Sequence, residues 1–204
     1  MRSFSFANPG YVAGLNSDQP APGAVLRIQP LLSSKRRYRL PGLSACEVIT
    51  VFMVLNKAPS AEGLHMLFSI LTAGSGSRTW FGYTGRSYTH WLGLTYNTYV
   101  DGFLYADQTQ TVLDDEKQIL LTVELGHAGA VFYLNGVKQT MLSVRNAQTR
   151  LPWSDEIVVG GETDNPGYDW LGLIADGFVY PSQLPIVDRL QTESYLRTLY
   201  PKVK

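Results

Sequence analysis

The densest grouping of chemically capable side chains in this sequence is Glu162-Thr163-Asp164-Asn165-Pro166-Gly167-Tyr168-Asp169-Trp170. Its carboxylates, Glu162, Asp164 and Asp169, are of the type that Ca²⁺ gathers into a shell of about six to eight oxygens. Sugars take hydrogen bonds from the same carboxylates and amides and lay their C–H surface against an aromatic ring. On that reading Asp164, Asn165, Tyr168, Asp169 and Trp170 touch a glycan, with calcium as a candidate cofactor. The plainer reading is a polar connection in which Asn165-Pro166-Gly167 turns the chain.

A second grouping is aromatic. Trp80, Phe81, Tyr83, Tyr88, Trp91, Tyr96, Tyr99, Phe103 and Tyr105 crowd one short stretch. Period-two alternation over His90–Tyr96 puts Trp91 and Thr95 on one face, opposite Leu92, Leu94 and Tyr96. The leucine face is expected inward and Trp91 outward. An outward Trp91 beside Tyr88 and Tyr99 suits a sugar platform or a protein interface; packing within the domain is the competing use.

Catalytic chemistry finds no comparable support. Asp114-Asp115-Glu116 is the densest acidic run, but neighbouring residues on a strand point to opposite faces, and the run precedes a strand instead of lying in one. A glycosidase pair needs two carboxylates on one side of the bond. The histidines His65, His90 and His127 are scattered, and no G-x-S-x-G elbow is present. Cys46 reads as a small buried residue. Gly74-Ser75-Gly76-Ser77 lacks the lysine of a phosphate loop, and Lys35-Arg36-Arg37 reads as a solvated turn. The chain is therefore expected not to be an enzyme.

Composition narrows the classes further. Lys+Arg and Asp+Glu balance at 17 each, which leaves no electrostatic footprint for nucleic acid. One cysteine excludes an intrachain disulfide. No apolar run is long enough for membrane insertion, and the N-terminus has no signal-peptide core.

The elements that must position these groups are mostly strands. Residues 1–23 carry Pro9, Gly10, Gly14, Pro20, Pro22 and Gly23 between Phe4, Phe6 and Tyr11, and read as an extended N-terminal arm. Residues 24–204 read as one β-sandwich domain of about eleven strands. Glu47–Asn56 is apolar on both faces, which predicts a central strand between layers. Lys117–Leu125 alternates Ile119, Leu121, Val123 and Leu125 against Thr122 and Glu124. Asn135-Gly136 predicts a type I′ hairpin turn. One helix is expected, from Pro185 to Leu199-Tyr200 with Pro201 behind it, and its apolar stripe reads as Leu190, Leu196 and Leu199.

Phe132-Tyr133-Leu134-Asn135-Gly136-Val137, then Ile157-Val158-Val159-Gly160-Gly161, then Trp170 to Tyr180 and the tail Leu184 to Tyr200 occur in an order that resembles concanavalin A-like lectin/glucanase domains. Within these, the chain is similar to the laminin-G-like branch of bacterial and bacteriophage proteins. Val48-Ile49-Thr50-Val51-Phe52-Met53-Val54 resembles an upstream strand of the same family. The resemblance implies an all-β, antiparallel two-sheet jelly-roll sandwich with one short C-terminal helix. The family's glucanase pattern, E-x-D-x-E on one strand, is missing. The implied role is a non-enzymatic structural or adhesive subunit of a bacteriophage virion (tail, fibre or head decoration), assembled in the host cytoplasm and contacting host surface polysaccharide. Its partners would be other virion proteins or a second copy, through the arm. The alternative is a free carbohydrate-binding lectin-like module, and a polysaccharide-degrading enzyme stands third.

Overall fold

Strands whose two faces are both apolar need cover on both sides, and the chain supplies it with two sheets and a helix. The computed structural model describes residues 20–23, 26–28, 38–41, 48–57, 64–71, 78–84, 91–98, 102–109, 117–126, 129–140, 156–161 and 169–203. The first sheet has the order β1 (Leu26–Ile28), β12 (Gly172–Tyr180), β3 (Val48–Lys57), β8 (Ile119–Gly126), β9 (Gly129–Leu134), β10 (Val137–Lys138). The second has the order β2 (Tyr38–Pro41), β11 (Glu156–Val159), β4 (Leu64–Leu71), β5 (Arg78–Thr84), β6 (Trp91–Thr98), β7 (Gly102–Thr109). Neighbours within each sheet pair antiparallel. This is the two-sheet sandwich expected from the sequence, with one helix, α1 (Ile186–Leu199), near the C-terminus.

β3 is central, as its composition requires. Ile49 to Leu55 are all buried, and β3 lies between β12 and β8. Register sorts its neighbours by face. Leu121 and Val123 oppose Met53 and Val51 and belong to the inter-sheet core. Thr122 and Glu124 oppose Phe52 and Thr50 and belong to the outer face of the first sheet. That outer face is where α1 packs, in a cluster of Phe52, Val54, Leu120, Ala175, Phe178, Tyr180, Leu184 and Leu196.

The helix departs from the expected stripe. Leu196 is buried, but Leu190 and Leu199 are exposed, and the residues that face the sheet are Arg189, Thr192, Glu193 and Leu196. The sheet offers polar partners there, so the helix docks through them. Arg189 Nη1 lies 2.8 Å from Glu193 Oε1, Arg189 Nε lies 3.8 Å from Glu124 Oε1, and the Thr122 hydroxyl donates to Glu193 at 3.0 Å. The guanidinium also stacks 4.0 Å from the Tyr133 ring centroid. Buried charges tolerate such a site only when paired.

The chain just ahead of β1 is fixed to the same layer. The Ala21 N–H donates to Thr192 Oγ1 at 3.0 Å, and the Tyr180 hydroxyl donates to the Ala21 carbonyl at 2.9 Å. Burial pushes the Tyr180 phenol up to about 12. Residues 1–19 lie outside the described residues. At the first sheet's edge Arg27 holds the buried Asp176 at 2.8 Å, which locks β1 onto a bulge in β12. The hairpin turn has φ of 50° at Asn135 and 79° at Gly136, the positive pair a type I′ turn demands.

Candidate functional site

β4 is the strand that organises the site. Its start meets the chain segment that flanks the acidic loop on both sides. Beyond β11, the Gly160 N–H donates to the Leu67 carbonyl at 2.7 Å. The Ser69 hydroxyl donates to the Gly161 carbonyl at 3.1 Å. On the return, Asp169 forms a parallel bridge with Met66, and His65 Nδ1 lies 3.0 Å from the Asp169 carbonyl. The Trp170 N–H donates to the Gly160 carbonyl at 3.1 Å, so the two feet of the loop are tied to each other. Gly160 makes the departure with φ 88°, a left-handed conformation that suits glycine.

The second sheet's register then shows what stands beside this stem. One cross-strand row runs Arg39, Val158, Ser69, Trp80, Thr95, Tyr105. The next row on the same face holds Glu156, Leu71, Arg78, Asn97 and Phe103. In the other direction Gly82 pairs with Gly93, and Thr84 with Trp91. The opposite face carries Ile157, Ile70, Thr79 and Tyr96, then Val159, Phe68, Phe81 and Leu94. Alternation therefore separates an apolar set, suited to oppose the first sheet, from a set rich in Arg, Asn, Thr and Trp. On the β11–β4 side of this second face, Ser69 and Val158 are buried, and Ser69 holds Gly161. The loop stem and the rows through β5, β6 and β7 are thus contiguous. A sugar ring needs this combination of hydrogen-bonding groups and flat apolar surface.

Sequence treated the acidic loop and the aromatic band as two separate features; β4 brings their supports together. Trp91 opens β6, opposite Thr84, which itself opposes Leu64 at the start of β4. Trp91 is therefore attached at the end of the sheet from which the loop departs, and β5–β6 pairing is unbroken from Trp91 to Asn97, so Trp91 and Thr95 share a face. Tyr88, Tyr99, Glu162, Asp164, Asn165 and Tyr168 lie outside the described residues.

Asp169 and Trp170 are described and both are buried. Trp170, at 3% exposure, presents no open face; its indole sits against Gly172, and its N–H has no hydrogen-bond partner among the described residues. Among the described residues no group of three His, Cys, Asp or Glu side chains is placed to hold a metal ion. Sequence reading passed over Arg78, Asn97 and the Gly82–Gly93 pair. The signal was present in the alternation of β5 and β6, but the cross-strand register that aligns them is a tertiary property.

No protein-family model and no curated protein matches this chain. Solved structures do. The CBM40 of the Ruminococcus gnavus IT-sialidase, bound to α2,3-sialyllactose, matches with a TM-score of 0.60 at 17% identity, covering 83% of this chain and 99% of that one. The NanB sialidase from Streptococcus pneumoniae matches with a TM-score of 0.58 at 13% identity over 83% of this chain, which spans only 28% of the sialidase. The native heptameric SAP-like pentraxin from Limulus polyphemus matches with a TM-score of 0.53 at 15% identity, covering 87% and 79%. At such identities the likeness is one of fold: a lectin-like jelly-roll sandwich, as the concanavalin A-like resemblance implied. The narrower laminin-G-like assignment rests on the sequence motifs.

Proposed function

We propose that this chain is a non-catalytic carbohydrate-binding module that reads a glycan on the polar face of its second sheet, beside the stem formed by Gly160, Gly161 and Asp169. The observation that carries the reading is the register of β4, β5 and β6, which sets Trp80, Trp91, Arg78 and Asn97 on the face that Ser69 joins to the loop stem. The rows of Trp80 and Trp91 are four residues apart along the strands, roughly 13 Å. That spacing suits two or three sugar rings. The CBM40 neighbour, which has nearly the same extent as this chain, supports the reading by analogy of fold. It favours the lectin-like module over a virion subunit, since none of the three neighbours named above is a virion protein; the virion setting rests on the sequence resemblance.

The test is a screen of the full chain on immobilised bacterial and host glycans, with calcium and again with chelator. Trp80→Ala and Trp91→Ala should each lower affinity at least tenfold for whichever glycan is retained, with the fold intact by circular dichroism. Equal binding by both variants would remove the second-sheet face as the site. Loss of binding on chelation would bring calcium, and the carboxylates Glu162, Asp164 and Asp169, into the mechanism; binding indifferent to chelator would leave the aromatic face to act alone.

A further inference from the structure

One cross-strand row on the polar face of the second sheet bears no side chain at its middle. Gly82 pairs with Gly93 there, between the row of Trp80 and Thr95 and the row of Thr84 and Trp91. The strands on either side both break register at this level. β4 shifts between Met66 and Phe68, with Met66 opposite Gly82. The β6–β7 pairing shifts between Gly93 and Thr95, with Gln108 opposite Gly93. Bulges bend a strand and raise its twist, and a strand glycine leaves a gap in the side-chain cover. Two bulges flanking two glycines therefore crease the sheet along one row, across the strand direction.

The two ends of this row differ. At β4 it is shut. The Met66 sulfur lies 3.0 Å from where a Cβ at Gly82 would stand, the His65 carbonyl is beside it, and Gly82 is buried. Met66 is itself 1% exposed and is bridged by Asp169 of the loop stem. This close approach accounts for the glycine at 82. Gly93 stands one strand further from β4, and from it the row runs to Gln108 on β7, the edge strand of the sheet. Along the strands, the two tryptophan rows bound the gap on either side. A polymer threaded through its middle would have to pass the Met66 end, whereas a chain entering from β7 meets no such stop until Gly82.

We propose that the site reads chain ends: the terminal sugar ring seats over Gly93, is stopped at the Gly82–Met66 end of the row, and the rings behind it leave toward β7. This rests on the glycan reading above and adds the class of ligand, a free chain terminus in place of an internal stretch of polymer.

Unbranched glucan, galactan, N-acetylglucosamine and uronate chains of about three, six and thirty rings serve as probes. Titration calorimetry of the full chain should give one domain per probe molecule at every length. A probe of about six rings coupled to a surface should be bound when held by one of its ends and not when held by the other. Gly93→Thr should lower affinity at least tenfold while the thermal midpoint holds or rises, because threonine favours a strand over glycine; a purely structural glycine would lose stability together with binding. Several domains on each long chain, or equal binding of the six-ring probe held by either end, would overturn end reading and leave the glycan site standing. So would a Gly93→Thr variant that binds like the parent. Retention of none of these probes, nor of any glycan in the wider screen, would overturn the glycan reading and this one with it.

Discussion

Arg189 is the residue on which the back layer turns. One guanidinium serves Glu193 and Glu124, both buried, and rests on Tyr133. Gln183 Nε2 donates to the other oxygen of Glu124 at 3.3 Å. Arg189→Met would leave two carboxylates under the helix without their counter-charge, and should cost about 3–5 kcal/mol, read as a lower denaturant midpoint at unchanged slope. Tyr180 gives a prediction with a definite pH window. Its folded phenol titrates near 12 against 10.0 for the free group. Below pH 10 both states keep the proton and its contribution is fully present; from pH 10 to about 12 only the unfolded chain ionises, so stability falls by up to about 1.4 kcal/mol per pH unit. Tyr180→Phe should flatten that decline in alkaline unfolding curves. At Trp170 the burial separates two roles that sequence could not. Trp170→Ala is expected to destabilise by about 3–5 kcal/mol, as for other large buried aromatics, whereas a change confined to glycan affinity would show that the ring is reached by ligand.

At the scale of elements, β4 matters more than its sequence suggests, because it supports the loop on one edge and β5 on the other. Ser69→Ala removes the hydroxyl that holds Gly161. It should cost about 1 kcal/mol and raise hydrogen exchange in the 160–170 segment while β3 and β8 keep their protection. Much of this architecture was legible beforehand. The two apolar faces of β3, the alternation of β8 and the Asn135-Gly136 turn are local patterns, and each is realised in the fold. The helix span was legible too, but not its buried side. A wheel that ranks leucines first finds Leu190 and Leu199, and only the tertiary pairing of Arg189 and Glu193 with Thr122 and Glu124 reverses the choice. The same holds for the candidate site. Trp91 was visible from composition, whereas Arg78, Trp80 and Asn97 gain meaning only when register places them across from Ser69, Thr95 and Leu71.

For the whole molecule, the balanced charge bears on how the proposed glycan binding responds to salt. On that reading binding should depend only weakly on salt, since no excess positive charge attracts an anionic polymer; a steep loss of binding between low and physiological ionic strength would point instead to Arg39 and Arg78 as the dominant contacts. The back layer has a further consequence. Ala21 and Val203, close to the two ends of the described chain, sit in one buried cluster beneath α1, on the side of the first sheet away from the second. A chain leaving the described domain beside Ala21 or Val203 therefore leaves from the side of the first sheet that α1 covers. On the glycan reading proposed above, a fusion joined at either of those points would hold the second sheet's face away from its partner.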